Sequence, residues 1–208
     1  MSDTPIDVFI DLPSFPGPVQ AGRLWSHFRK GRESASFEYN KEWLANPHRF
    51  ALEPLLPLAD GTFHTNPGQS VFGAIGDSTP DRWGRILMRR AELARARTAN
   101  ESPHTLSELD YLLRVNDEAR QGALRFSQDG GQSFCAPPGS TPIPPLVNLS
   151  RLLHAADHFC RDDENAEDLR LLLAPGSSLG GARPKASVKD KKGNLCIAKF
   201  PRYDDEYN

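Results

Sequence analysis

Three cysteines stand in 208 residues, at positions 135, 160 and 196, and no two of them form a CxxC pair. An odd, scattered set excludes a disulfide framework and a structural zinc cluster, and fits a reducing compartment. Long apolar runs are missing too, so nothing in the sequence is suited to crossing a bilayer. The opening MSDTPIDVFIDLPSFPG carries acids where a secretory leader needs basic residues, and its apolar stretch is too short. These absences predict a cytoplasmic protein with no membrane partner. Charge of one sign is also lacking: the net charge of −2 gives the whole chain no bulk attraction to nucleic acid or to an anionic surface. No internal repeat is visible.

What is present is an ordinary globular composition, 38% hydrophobic and 25% charged, in a chain long enough to bury a core. Two β-prone runs, AGRLWSHF (21–28) and SASFEYN (34–40), flank RKGRE, whose Gly31 predicts a hairpin turn. VFIDL (8–12) alternates Val8, Ile10 and Leu12 and reads as a strand that could lie alongside. Prolines 47, 54 and 57 then allow only a short helical turn followed by irregular chain. Ser78-Thr79-Pro80-Asp81 is a helix start, and Trp83, Ile86, Leu87, Ala91 and Ala94 recur at helical spacing to about residue 97. Thr105 to Glu108 reads as a capping box for a second helix, and GALRF (122–126) as a returning strand.

Residues 127–148 are rich in Pro and Gly and read as a linker or as a long arm packed across the surface. Helices are expected at 149–159 and 164–174. The fold class is therefore α+β: a mixed N-terminal domain over 1–130, a Pro/Gly-rich linker over 131–148, and the opening elements of a second domain over 149–208.

Several residue groupings have plain structural readings. His154 and His158 lie one helical turn apart near Cys160, but no glutamate follows His154 as HExxH requires, so a half-exposed helix face is the simpler account. His104, Ser107 and Asp110 sit within one capped helix and are local sequence. The arginines at 82, 85, 89, 90, 95 and 97 read as the solvated face of an amphipathic helix, stabilised by Glu92 and its neighbours.

Chemistry concentrates in APGSSLGGARPKASVKDKKGNLCIAKFP, residues 174–201. Glycines let backbone N–H groups approach an anion closely. The loop is not a Walker A motif, because Ala182 stands where the lysine belongs, and it lacks the strand and helix of a dinucleotide fingerprint. A hairpin follows instead: PKASVKD, a turn at Gly193, then LCIAKF. Leu195, Ile197 and Lys199 share one face of the second strand, and Cys196, Ala198 and Phe200 the other. Glycine loop, strand, turn, strand, lysine is the order of a protein-kinase N-lobe. On spacing alone, a plain surface loop with an edge-strand lysine explains the segment equally well.

LGGARPKA with IAKFP resembles the HipA family of serine/threonine kinases, the toxin halves of bacterial toxin–antitoxin pairs. GRLW (22–25), FEYNKEWL (37–44), LPL (56–58), TPDRWGRILMRR (79–90) and NDEARQGALRF (116–126) are similar to that family's N-terminal domain. The resemblance implies ATP and Mg²⁺ as cofactors. It implies main-chain contacts to the ATP phosphates from Leu179, Gly180, Gly181 and Ala182, and a direct phosphate contact from Lys199. It also implies a regulatory phosphorylation at Ser178, with Ser177 as the alternative, since charge added inside a phosphate loop repels ATP and disorders the loop. Further implications are a bacterial cytoplasmic location and a helix-turn-helix antitoxin as partner, with operator DNA engaged chiefly through it. The protein substrate implied is one such as an aminoacyl-tRNA synthetase, whose phosphorylation inhibits translation and promotes growth arrest and persistence.

A kinase also needs a positioning aspartate and groups that hold Mg²⁺. After Lys199 the only acids are Asp204, Asp205 and Glu206, neighbours on a short tail that cannot build both sites. The expectation is that the catalytic centre and the metal ligands lie outside these 208 residues, and that the chain alone is inactive and binds ATP weakly or not at all. The alternative class is a non-catalytic module that binds an antitoxin or a separate kinase subunit.

Overall fold

The structure is a computed structural model and describes residues 5–135, 143–144, 148–176, 181 and 183–201. It is α+β, with two antiparallel sheets and six α-helices among the described residues. Contacts divide the chain into two compact units that interleave in sequence: 1–79, 107–113 and 121–135 in the first, 80–106, 114–120 and 136–208 in the second. The linear division at residue 130 thus differs from the contact-defined one, chiefly because the helix expected after Ser78 has its packing partners near the C-terminus.

The first unit is built on a five-stranded sheet. In chain order its strands are β1 (Ile6–Ile10), β2 (Val19–Arg29), β3 (Arg32–Tyr39), β4 (Thr62–His64) and β5 (Leu124–Ser127). In space they run β4-β3-β2-β1-β5. The β2–β3 turn is closed by Lys30 and Gly31, both at positive φ (50° and 74°), the backbone that matches the twist of a tight hairpin. β1 begins two residues before the VFIDL run. It is an inner strand with every residue buried, so alternation does not mark its start.

Asp7 on β1 is held by Gln20 Nε2 at 2.7 Å and Arg23 Nε at 3.0 Å. Ile6, Val8, Ile10, Leu24, Phe37 and Trp43 form the centre of this core. After α1 (Lys41–Ala45), whose N-cap is Asn40, the proline-interrupted chain is irregular. The Tyr39 hydroxyl pins it, donating to the Leu56 carbonyl at 2.8 Å and accepting from the Leu52 N–H at 3.0 Å. A short α2 (Gly73–Gly76) follows.

α4 (Glu108–Leu113) is capped two residues later than Thr105 suggests. Ser107 Oγ accepts from the Asp110 N–H, Asp110 accepts from the Ser107 N–H, and Glu33 on β3 accepts from the Glu108 and Leu109 N–H groups. Residues 131–135, expected as linker, fold back onto this unit: the Cys135 N–H donates to the Phe126 carbonyl, and Phe134 packs edge-on against Phe9.

The second unit joins α3 (Arg82–Ala99), α5 (Leu149–Cys160), α6 (Ala166–Gly176) and the hairpin β6 (Lys185–Lys189)–β7 (Leu195–Lys199). Trp83 and Leu87 of α3 share a core with Leu152, Phe159, Leu172, Ala186 and Phe200. Trp83 meets Phe159 edge-to-face at 5.0 Å, and the Arg90 guanidinium lies over the Phe159 ring at 4.1 Å. Glu92 corrects the solvated-face reading of this helix: it is buried, and its carboxylate binds Arg95 and Arg114 and accepts from the His104 N–H. Arg90 pairs with Asp162 and Glu164. Ile143 is buried, and the Pro144 carbonyl accepts from the Lys189 N–H. Among the described residues no helix is long and apolar enough to cross a membrane.

Candidate phosphate-binding site

Within the second unit, the first turn of α3 grips the chain that leaves the glycine loop. Asp81 is the N-cap, its Oδ1 accepting from the Trp83 N–H at 3.2 Å. The cap is Asp81 rather than Ser78 or Thr79; Thr79 Oγ1 donates to the Gly76 carbonyl at the end of α2. The Trp83 N–H also reaches the Gly181 carbonyl at 3.3 Å, and the Trp83 indole N–H donates to the Lys185 carbonyl at 2.9 Å. One aromatic residue therefore fixes both ends of the Gly181–Lys185 segment.

Gly181 is the one predicted loop residue that the structure describes; Ser177, Ser178, Leu179, Gly180 and Ala182 lie outside the described residues. Its φ of +90° is open to glycine and strained for other residues. A Cβ there would stand 2.8 Å from Lys185 Nζ and 3.9 Å from Asp81 Oδ2. The Lys185 side chain thus folds back over the glycine, into space that a larger residue would fill.

The hairpin register explains how Lys185 relates to the predicted Lys199. The two are direct cross-strand partners, and Ser187↔Ile197 and Lys189↔Leu195 follow on the same face. Ala186, Val188, Cys196 and Ala198 turn to the core. Lys199 is exposed, with the exposed Ile197 and Leu195 beside it, as the strand-face reading anticipates. Lys185, which that reading passed over, is 7% exposed, and its ammonium forms no hydrogen bond or ion pair with a described residue. Its signal was available: counting back from the turn at Gly193 sets it opposite Lys199. Gly193, at φ +84°, donates to the Asp190 carbonyl, and the Asp190 carboxylate accepts from the Lys192 and Asn194 N–H groups, so the turn and its register are well specified.

Two ammonium groups directly opposite on one sheet face repel each other. One of them is buried, and a buried charge needs an anionic or polar partner. The nearby carboxylate satisfies this need only in part. Asp81 Oδ2 is buried without a hydrogen-bond partner among the described residues, and burial pushes the Asp81 carboxyl above the usual range. The Lys185 charge, the Trp83 and Gly84 N–H groups and Arg85 oppose that shift. The arrangement suits an anion with several oxygens, such as a polyphosphate, received between a glycine backbone and two lysines.

Elsewhere, His158 Nδ1 lies 3.0 Å from Asp168 Oδ2, and this partner raises its pKa; His154 points to solvent. Among the described residues no cluster of His, Cys, Asp or Glu could hold a metal ion. Asp204, Asp205 and Glu206 lie outside the described residues.

The family model described as the HipA N-terminal domain matches residues 17–127, from the start of β2 to the end of β5. No curated protein matches the chain. The matched span carries the GRLW, FEYNKEWL, TPDRWGRILMRR and NDEARQGALRF motifs and stops short of the glycine loop and its hairpin. Covering more than half of the sequence, it establishes that the chain belongs to the HipA N-terminal domain family.

Proposed function

We propose that this chain is the N-terminal part of a HipA-like serine/threonine protein kinase, and that residues 177–199 form the phosphate-binding half of its ATP site. The observation that carries this reading is the pairing of a buried Lys185 ammonium, without a bonded partner among the described residues, with Lys199 beside a glycine whose φ is +90°. Leu179, Gly180, Gly181 and Ala182 would offer main-chain contacts to the phosphates, and Lys185 and Lys199 would offer positive charge. Bound there, ATP would supply the phosphoryl group for a protein hydroxyl. Mg²⁺ has no fitting ligand set among the described residues, so no role is derived for it on this chain.

In this reading Ser178, or Ser177, is the switch, since a phosphate added within the loop would compete with the nucleotide for the same lysines. The protein substrate, of which an aminoacyl-tRNA synthetase is the family-type example, and the helix-turn-helix antitoxin belong to the same proposal.

The test is titration of the chain with inorganic triphosphate and with Mg-ATP, followed by NMR shifts. Binding should be weak, with a Kd on the order of 1 mM. It should weaken at least tenfold in both Lys185→Met and Lys199→Ala. Equal affinity in wild type and both variants, or no binding by any of them, overturns the assignment.

A further inference from the structure

Asp81 does more than cap a helix. Only its Oδ1 is engaged in the cap, while Oδ2 is buried, without a hydrogen-bond partner among the described residues, and close to Gly181, where a single Cβ position would touch both it and Lys185 Nζ. Lys185 is nearly fully buried, and its ammonium has no bonded partner among the described residues. Its charge acts on the Asp81 carboxyl, and Lys185 Nζ and Asp81 Oδ2 both lie within 4 Å of the one Cβ position at Gly181 without closing into an ion pair. In a low-dielectric surrounding, such an attraction persists over several ångströms.

We infer that Asp81 is the resting counter-ion of Lys185, a positioning residue that holds the ammonium at Gly181 in the empty site and gives it up to an arriving phosphate. The inference rests on the phosphate-site reading above and adds its regulation. The empty site is internally neutralised, and an anion must compete with Asp81 for the lysine. The Trp83 hydrogen bonds keep the Gly181–Lys185 backbone in place while that exchange occurs, so the lysine side chain can change partners without the loop's exit moving. Because Asp81 also starts α3, the helix and the phosphate site share one carboxylate.

Asp81→Asn separates the two roles, since asparagine caps a helix as well as aspartate does but carries no charge. Two measurements on the full chain decide the matter. In the first, triphosphate affinity should rise roughly three- to tenfold in Asp81→Asn, and in the same direction in Asp81→Ser. Unchanged or weaker binding in both overturns the counter-ion role.

The second measurement needs no ligand. Hydrogen exchange across residues 183–189 is compared in wild type, Asp81→Asn, Lys185→Met and the double variant. Each single change strands a buried charge and should speed exchange, whereas the double change should bring it back toward wild type. Additive effects overturn the pairing. If triphosphate binds no form of the protein, the phosphate reading falls alone, and this cycle still decides whether Asp81 and Lys185 are coupled.

Discussion

Glu92 shows how much one side chain can organise. It is 3% exposed and remains ionised, its carboxyl held at about 2 by the Arg95 hydrogen bonds, against the cost of burial, with further help from the His104 N–H and Arg114. Folding thus lowers its pKa from the ordinary 4.5, so its contribution is fully present above about pH 4.5 and is lost as pH falls toward 2. Glu92→Gln should lower stability near neutral pH by about 1–3 kcal/mol and flatten the acid limb of the unfolding profile between those values. Denaturant titrations at a series of pH values measure both. The pattern RAELARAR gave no hint of this, because a glutamate among arginines on a helix reads as a surface pair. Its partners include Arg114, 22 residues downstream, and the His104 N–H. Pairing of that kind depends on tertiary structure and leaves no local signature.

At the scale of elements, local chemistry was readable and long-range chemistry was not. The β2–β3 hairpin follows from its Gly31 turn, and α5 and α6 follow from apolar spacing. The start of α3 was placed within a few residues, since the Ser-Thr-Pro-Asp run offers two hydroxyls and an acid, of which Asp81 is the cap. Half of the candidate site was legible. Lys199 stood out on an apolar strand, whereas Lys185 needed the hairpin register to be counted and its burial to be seen.

Gly22 makes an element-scale prediction of its own. A Cβ there would stand 2.2 Å from the Glu38 carbonyl oxygen and 2.5 Å from Phe37 Cζ, on the strand to which β2 pairs. Gly22→Ala must push β3 away along its hydrogen-bonded edge. A loss of about 1–3 kcal/mol is expected from overpacking, read as a lower denaturant midpoint with an unchanged slope.

For the whole molecule, the interleaving of the two units matters more than any linear boundary. A fragment ending at residue 130 would carry all five strands of the large sheet, but also α3 without α5, α6 and the β6–β7 hairpin. Trp83 and Leu87 would lose Leu152, Phe159, Leu172 and Ala186 as core partners. Such a fragment should bind a hydrophobic dye strongly and show less helix by circular dichroism than its share of the sequence predicts. A fragment with full helix content and no dye binding would show that α3 can be stabilised without that core.

The strand order β4-β3-β2-β1-β5 also has a consequence for the protein's synthesis. β1 leaves the ribosome before the other strands of its sheet, and one of its edges pairs with β2 within about twenty residues of chain. Its other edge is reserved for Leu124–Ser127. While the intervening chain is being made, the nascent protein displays an apolar strand with unpaired N–H and C=O groups, a ready template for wrong pairing. Completion of the first unit is therefore timed by the emergence of β5, which makes the passage from residue 10 to residue 127 the interval in which a chaperone has most to protect.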